Sequence, residues 1–316
     1  MIKIVVTDGY TLNPGDLSWE QIKQFGELAI YDRTQPHEII DRCRDANIVL
    51  TNKVPFNEET LAGLPGLKMI GVTATGYNII DVAAAAKSGI VVCNVPAYGT
   101  ASVAQHTFAL LLELTNQVGK HAASVAAGEW VNAPDFSYQK APFTELAGKT
   151  LGIVGWGNIG QQTARIAQAF DMRVLYYTPS KKENAFAGWV PLTELFSQSD
   201  FVSLHCPLKP DNMGFVNNDL IGVMKRSACI INTARGPLIN EQHLADALNN
   251  DRIAGAALDV LSTEPPSPDN PLLTAKHCII TPHNAWISKE ARQRVMDITA
   301  ANINAFLQHH PIHVVH

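Results

Sequence analysis

Apolar residues gather in short runs along the chain, and stretches of helical spacing separate one run from the next. Candidate strands are Ile2 to Thr7, Glu27 to Tyr31, Ile48 to Thr51, Met69 to Val72 and Val91 to Asn94. Each leads into a helical or turn segment, the order expected of parallel strands joined by crossovers. The long apolar stretch Val103 to Leu114 reads as a buried helix that leaves this first series and opens the second. The second series has strands at Thr150 to Val154, Arg173 to Tyr177, Phe201 to His205, Cys229 to Asn232, Ala254 to Leu258 and Cys278 to Thr281. Lys289 to Gln308 is an amphipathic closing helix. The pattern predicts an α/β chain with two parallel-sheet series.

The second series begins with a glycine-rich turn, Gly155-Trp-Gly157-Asn-Ile-Gly160. Such a pattern is weak alone and gains weight from its flanks. An apolar strand precedes it, and Ile159 to Phe170 follows as an amphipathic helix, the setting of a dinucleotide site. Gly155 allows the turn, Gly157 admits the pyrophosphate backbone approach, and Gly160 lets helix and strand pack closely. The helix N-terminus then offers N–H groups and positive dipole to phosphate. The strand after this helix ends at Thr178, followed by Pro179, Ser180, Lys181 and Lys182. No carboxylate stands there to repel a 2′-phosphate, so the cofactor is expected to be NADP or NAD, leaning to NADP. The alternative is a solvated lysine pair on a surface turn, with Glu183 diluting its charge.

Composition narrows the class without choosing a chemistry. At 316 residues the chain suits about two domains. A net charge of −5 gives no reason to expect nucleic acid or an anionic membrane as partner. Five cysteines lie far apart without a CxxC, so neither a zinc site nor a disulfide framework is implied and no metal is expected. Nothing at the N-terminus reads as a signal peptide, and no apolar stretch is long enough to span a bilayer. A cytoplasmic protein is the expectation.

Downstream of the glycine turn three chemically distinct residues follow in order: Arg235 in Asn232-Thr-Ala-Arg-Gly236, Glu264 after Leu258-Asp-Val, and His283 in Thr281-Pro-His283. Each alone has a duller reading, as a structural arginine, a solvated carboxylate in the turn-rich loop Ser262 to Pro271, or one of 11 histidines. With the glycine turn, the Glu-Pro-Pro and the Thr-Pro-His-Asn-Ala-Trp, they resemble the D-isomer-specific 2-hydroxyacid dehydrogenases. Thr75-Gly76-Tyr77-Asn78 with Asp81, and Val95-Pro-Ala-Tyr98 leading into Ser102-Val-Ala-Gln105-His106, are similar to the glycerate dehydrogenase/hydroxypyruvate reductase branch.

The resemblance implies two Rossmann-like or flavodoxin-like domains with an interdomain cleft. Residues 1–97 plus 286–316 would form a discontinuous substrate domain, and 98–285 the dinucleotide-binding domain. It also implies a homodimer, paired through the helix near Val103 to Leu114. The reaction would transfer hydride between a nicotinamide and C2 of a small D-2-hydroxy acid or 2-oxo acid, with hydroxypyruvate or glyoxylate as the expected substrate. Arg235 suits the substrate's carboxylate and carbonyl oxygens, because its planar fork can bond both. His283 suits the proton step, since imidazole titrates near neutrality. Glu264 would hold the other ring nitrogen and favour imidazolium.

Positions implied at the cofactor are Asn158 and Ile159 in the turn, Thr178 at the ribose, Pro207 after its strand, and Thr233, Ala234 and Asp259 flanking the nicotinamide. Asp259 would bond the carboxamide or else only cap its strand end. Ala74-Thr75-Gly76 is a small-residue turn able to offer N–H groups to a substrate carboxylate, and the resemblance puts Thr75 also near the nicotinamide. Lys53 faces a substrate or is a surface lysine, and Trp286 walls the pocket or packs at the interdomain seam. Asp171 stands where relatives often carry glycine. Two rival classes use the same scaffold. One comprises dehydrogenases of formate, which carry glutamine in place of Glu264, or of phosphite. The other is a non-catalytic NAD(H)-sensing protein.

Overall fold

A computed structural model describes residues 1–182 and 187–315, so Glu183 lies outside the described residues. The chain forms two compact units, one of Met1–Gly99 with Trp286–His316 and one of Thr100–Ala285.

The first unit is built on a parallel sheet of β1 (Lys3–Val6), β2 (Glu27–Ile30), β3 (Ile48–Thr51), β4 (Met69–Val72) and β5 (Val91–Cys93), in the order β2-β1-β3-β4-β5. Strands β3 and β4 are buried along their whole length, as expected where both faces of a parallel sheet are covered. On one face lie Ile4, Ile48, Leu50 and Met69 with Ile22 and Ile303, the last from the closing helix Lys289–Leu307. That helix is anchored by Arg292, which forks onto both oxygens of Asp16 at 2.7 Å. Past it, the tail returns to the sheet edge, where Val314 bridges Cys93.

The second unit holds β6 (Thr150–Val154), β7 (Arg173–Tyr177), β8 (Gly188–Trp189), β9 (Phe201–Leu204), β10 (Cys229–Asn232), β11 (Gly255–Leu258) and β12 (Cys278–Ile280). They form one parallel sheet in the order β12-β11-β10-β9-β6-β7-β8. The chain order reverses between β6 and β9, and the loops leaving those two strands meet at the point where open α/β sheets bind ligands. The fold class is therefore two parallel-sheet α/β domains.

Helix Thr100–Asn116 runs longer than the apolar stretch that announces it. Val103, Ala104, Thr107, Phe108, Leu110 and Leu111 are buried, and of these Phe108, Leu110 and Leu111 pack into the core of the helix's own unit. Beyond it a second helix, Val118–Ala126, and the following segment leave Val118, Trp130, Val131, Phe136 and Phe143 exposed. Asp171 has φ 54°, the left-handed conformation glycine adopts freely and Asp tolerates better than most residues.

Candidate active site

The glycine turn leaves the C-terminal end of β6. Gly155 has φ +102°, and a Cβ there would stand 2.6 Å from the backbone of His205 and Cys206, which leave β9. A Cβ on Gly160 would stand 2.2 Å from the Gly155 carbonyl oxygen. Gly157 differs, since a Cβ there would meet nothing within 4 Å. Helix Asn158–Ala169 starts beside that open space, and its first intrahelical bond is Gln161 N–H to Gly157 O. The N–H groups of Asn158, Ile159 and Gly160 precede it and point out of the helix end. Tight packing on two sides and open space on the third fit a dinucleotide pyrophosphate.

The neighbouring strand ends complete this region. Pro207 follows the His205–Cys206 peptide that touches Gly155, and its carbonyl accepts from Asn212 Nδ2 at 2.9 Å. Burial pushes His205 down to about 3, so the ring is neutral, and its Nε2 lies 2.9 Å from Ser203 Oγ. Burial likewise pushes the Cys206 thiol up to about 11, which leaves no thiolate beside the turn. At the end of β7, the Thr178 hydroxyl donates to the Ser180 carbonyl, and the Tyr176 hydroxyl clasps the backbone of Lys182. Lys181 and Lys182 are exposed.

Arg235, Glu264 and His283 all belong to the second unit and to loops at the C-terminal ends of adjacent strands. Arg235 leaves β10, and Asn232 shapes its loop by accepting from Ala234 N–H at 3.0 Å and donating to Arg235 O at 2.9 Å. Thr233 turns its hydroxyl to Thr107, 3.1 Å away. The exposed Arg235 guanidinium touches the Ala234 carbonyl at 2.6 Å. Gly236 then lies directly on the next loop, for a Cβ there would fall 1.9 Å from the carbonyl carbon of Leu261. Only glycine permits that approach.

The Leu261–Glu264 loop is pinned from outside by Glu241, which accepts from Ser262 N–H and Oγ at 2.7 Å each. Glu264 points one carboxylate oxygen at Leu261 N–H, 3.1 Å away, and the other at His283 Nδ1, 2.6 Å away. The two side chains are 33% and 29% exposed, so the pair is neither sealed nor freely solvated. With a carboxylate on Nδ1, the ring proton there is fixed and Nε2 is the atom left for exchange.

His283 itself has φ 51°, in the left-handed region. Asp259 holds it there. The Asp259 carbonyl accepts His283 N–H at 2.8 Å, while its carboxylate accepts Asn284 N–H and Ala285 N–H at 2.9 Å and the Thr281 hydroxyl at 2.6 Å. Burial alone would raise the Asp259 carboxyl, which is 1% exposed, but the His106 ring 3.5 Å away and hydrogen bonds from Thr281, Ala285 and Asn284 outweigh it and the net shift is downward. Asn232, Gly236 and Glu241 carry no signal in the sequence that marks them for these tasks, beyond Asn232 and Gly236 flanking Arg235, and His106 is marked only as the end of the Ser102-to-His106 motif, which leaves its task open.

In the first unit, Asp8 binds Asn52 N–H and Lys53 N–H at the ends of β1 and β3, and Asn52 Nδ2 reaches Thr73 O at 3.0 Å. Thr75 turns its hydroxyl to Val95 O at 2.8 Å, and Ala74 O accepts Val95 N–H. The N–H groups of Thr75, Gly76 and Tyr77 have no acceptor among the described residues. Trp286 also belongs to this unit, meeting Tyr98 edge-on with centroids 6.1 Å apart. Among the described residues no cluster of His, Cys, Asp or Glu could hold a metal ion, and no helix is long and apolar enough to cross a membrane.

A dinucleotide-fitting turn and a carboxylate–imidazole pair share one parallel-sheet unit, the arrangement of a nucleotide-binding α/β domain. Residues 108–285 match the family described as D-isomer specific 2-hydroxyacid dehydrogenase, NAD binding domain. The chain is 51% identical to the hydroxypyruvate reductase of Blautia hydrogenotrophica across 99% of both chains. It is 40% identical to the glycerate dehydrogenase of Methylorubrum extorquens across 92% of both. A solved structure of the NADPH-dependent glyoxylate/hydroxypyruvate reductase of Sinorhizobium meliloti, with NADP and malonate, superposes with a TM-score of 0.86 at 26% identity, covering 99% of this chain and 96% of that one. The chain belongs to the D-isomer-specific 2-hydroxyacid dehydrogenases, enzymes that use NAD or NADP.

Proposed function

We propose that the enzyme reduces hydroxypyruvate and glyoxylate, running as a glycerate dehydrogenase in the reverse direction. The observation that carries this reading is the 2.6 Å contact between Glu264 and His283 Nδ1, one loop away from Arg235. A bound nicotinamide dinucleotide supplies or accepts the hydride at C2. Arg235 grips the substrate's carboxylate and carbonyl oxygens and offsets the charge that grows on the latter. His283 delivers its Nε2 proton to that oxygen as the hydride arrives at carbon, and regains a proton from water after the alcohol leaves. Glu264 keeps Nδ1 protonated and compensates the imidazolium charge before transfer. Oxidation reverses each step, with His283 as base.

In the first unit we assign the N–H groups of Thr75, Gly76 and Tyr77 to an anionic group. Lys181 and Lys182 support a lean to NADP, since the cations suit a 2′-phosphate, and Thr178 joins them once its hydroxyl turns away from the Ser180 carbonyl. Initial rates of hydroxypyruvate reduction with NADH and NADPH in parallel test both points. Fast turnover is expected, with the larger kcat/KM for NADPH. No turnover in a protein that binds either dinucleotide would sink the reading. We further propose that the protein is a cytoplasmic homodimer. The exposed side chains of Val118, Trp130, Val131, Phe136 and Phe143 support the dimer as an apolar surface for a second copy.

A further inference from the structure

One histidine close to the proton-transfer pair has no part in the reaction as described. His106 sits on helix Thr100–Asn116 with its side chain 22% exposed. Its Nε2 lies 3.1 Å from Thr281 Oγ1 and 3.5 Å from Asp259 Oδ1. Thr281 has one hydroxyl proton, and the 2.6 Å contact with Asp259 Oδ1 takes it, because a carboxylate can only accept. Toward His106 the hydroxyl must therefore accept, so Nε2 carries the proton. The chain has a direction: His106 Nε2–H to Thr281 Oγ1–H to Asp259 Oδ1.

The far end of this chain fixes the turn that bears His283. Asp259 is bonded to the N–H groups of His283, Asn284 and Ala285, and His283 is held at φ 51° between them. A non-glycine residue stays in that region only where its surroundings over-determine it. Without the His106 donor, the Thr281 hydroxyl loses the contact that orients and polarises it toward Asp259, and its hold on the buried carboxylate slackens. We propose that His106 is a positioning residue for the proton donor, acting through Thr281 and Asp259 to hold His283 against Glu264. This rests on reading His283 as the residue that carries the proton.

His106→Phe removes the donor and His106→Gln keeps an N–H in its place. In H106F, kcat for hydroxypyruvate should fall about tenfold, since small misplacements of a reacting group are costly. The dinucleotide Kd, followed by tryptophan fluorescence, should stay within about twofold. H106Q should recover most of the loss. Adding Thr281→Val to H106F should cost little more, because both cut one chain. Should H106F fail to fold, T281V alone breaks the next link and is read in the same way. A second readout needs no turnover: the proton between His283 Nδ1 and Glu264 should give a far-downfield proton NMR signal in the unliganded protein, assigned by its loss in H283Q. The signal should broaden or vanish in H106F and persist in H106Q. A wild-type kcat in H106F, losses that simply add, or an unchanged signal would overturn the proposal. If the wild-type enzyme ignores hydroxypyruvate but its signal responds to H106F, the substrate reading fails and the positioning role stands.

Discussion

Two regions at the strand ends of the second unit keep a site still by opposite means. The Gly155–Gly160 turn works by omission, with backbone pressed on backbone where any Cβ would collide, and open space where Gly157 faces outward. The region from Asp259 to Ala285 works by addition, through one buried carboxylate that accepts three N–H or O–H groups and a carbonyl that accepts a fourth. The first should be broken by adding a carbon, the second by removing a charge or a proton. Binding of a large, chemically inert phosphate group asks only for room and N–H groups. A proton transfer needs one ring nitrogen aimed within a few tenths of an ångström, which a side-chain network can enforce.

The largest expected effect lies at the chemical end of the second region. His283→Gln should lower kcat about 10³-fold, the scale of a lost general acid, while dinucleotide affinity in a fluorescence titration holds. An affinity loss as large as the rate loss would mean His283 binds cofactor instead. Gly160→Ala tests the first region in the opposite sense. Its Cβ would need to clear a carbonyl oxygen 2.2 Å away, so urea unfolding should show a loss of about 3 kcal/mol. Dinucleotide binding should weaken with it, and an unperturbed G160A would show that the turn has slack.

Asp259→Asn comes next, at about 2 kcal/mol, because an amide can replace only one of the two accepting oxygens and turns a donor toward N–H groups. Here the pH dependence has a definite sign. The Asp259 carboxyl is held below its ordinary value of 3.8 in the folded protein, so the stability it confers is complete above that value and fades as pH falls through the lowered one. The gap in Tm between wild type and D259N should therefore narrow in acid below about pH 4 and stay constant above it. Glu264→Gln should be mildest, about tenfold in kcat, with the fall in reduction rate at high pH moved to lower pH. The same pH profile as wild type would break the assignment of Glu264 as partner to His283.

The Gly155–Gly160 turn and most of the strands are readable from sequence because their determinants are local. The bounds of β3, β4, β6, β7 and β10 coincide with their apolar runs, since strands covered on both faces are nearly continuous in apolar residues. At β1 the run Ile2 to Thr7 is one residue too long at either end, where bonding to a neighbour becomes one-sided. The pair Gly188–Trp189 is invisible as a strand in the sequence, being too short to show a period. Helix Val118–Ala126 escapes the pattern as well, with apolar residues facing out.

For the second region, sequence supplies the chemical types of Arg235, Glu264 and His283 but not what holds them. It leaves Asp259 open between carboxamide ligand and strand cap. The Asp259 carboxylate oxygens are engaged by the turn that follows β12, a contact fixed by the pairing of β11 with β12. His106 reaches Thr281 across 175 positions, a distance no spacing argument spans.

The seat of Gly236 on the Leu261–Ser262 peptide has a consequence for anyone reshaping this enzyme. Because backbone rests on backbone there, the segment that presents Arg235 and the segment that presents Glu264 form one mechanical part. A change in length or path of either has to be matched in the other. Loop exchange between relatives aimed at new substrates should move 232–241 and 258–264 as a single cassette, and a graft of one alone should leave the anchor and the acid–base pair out of register.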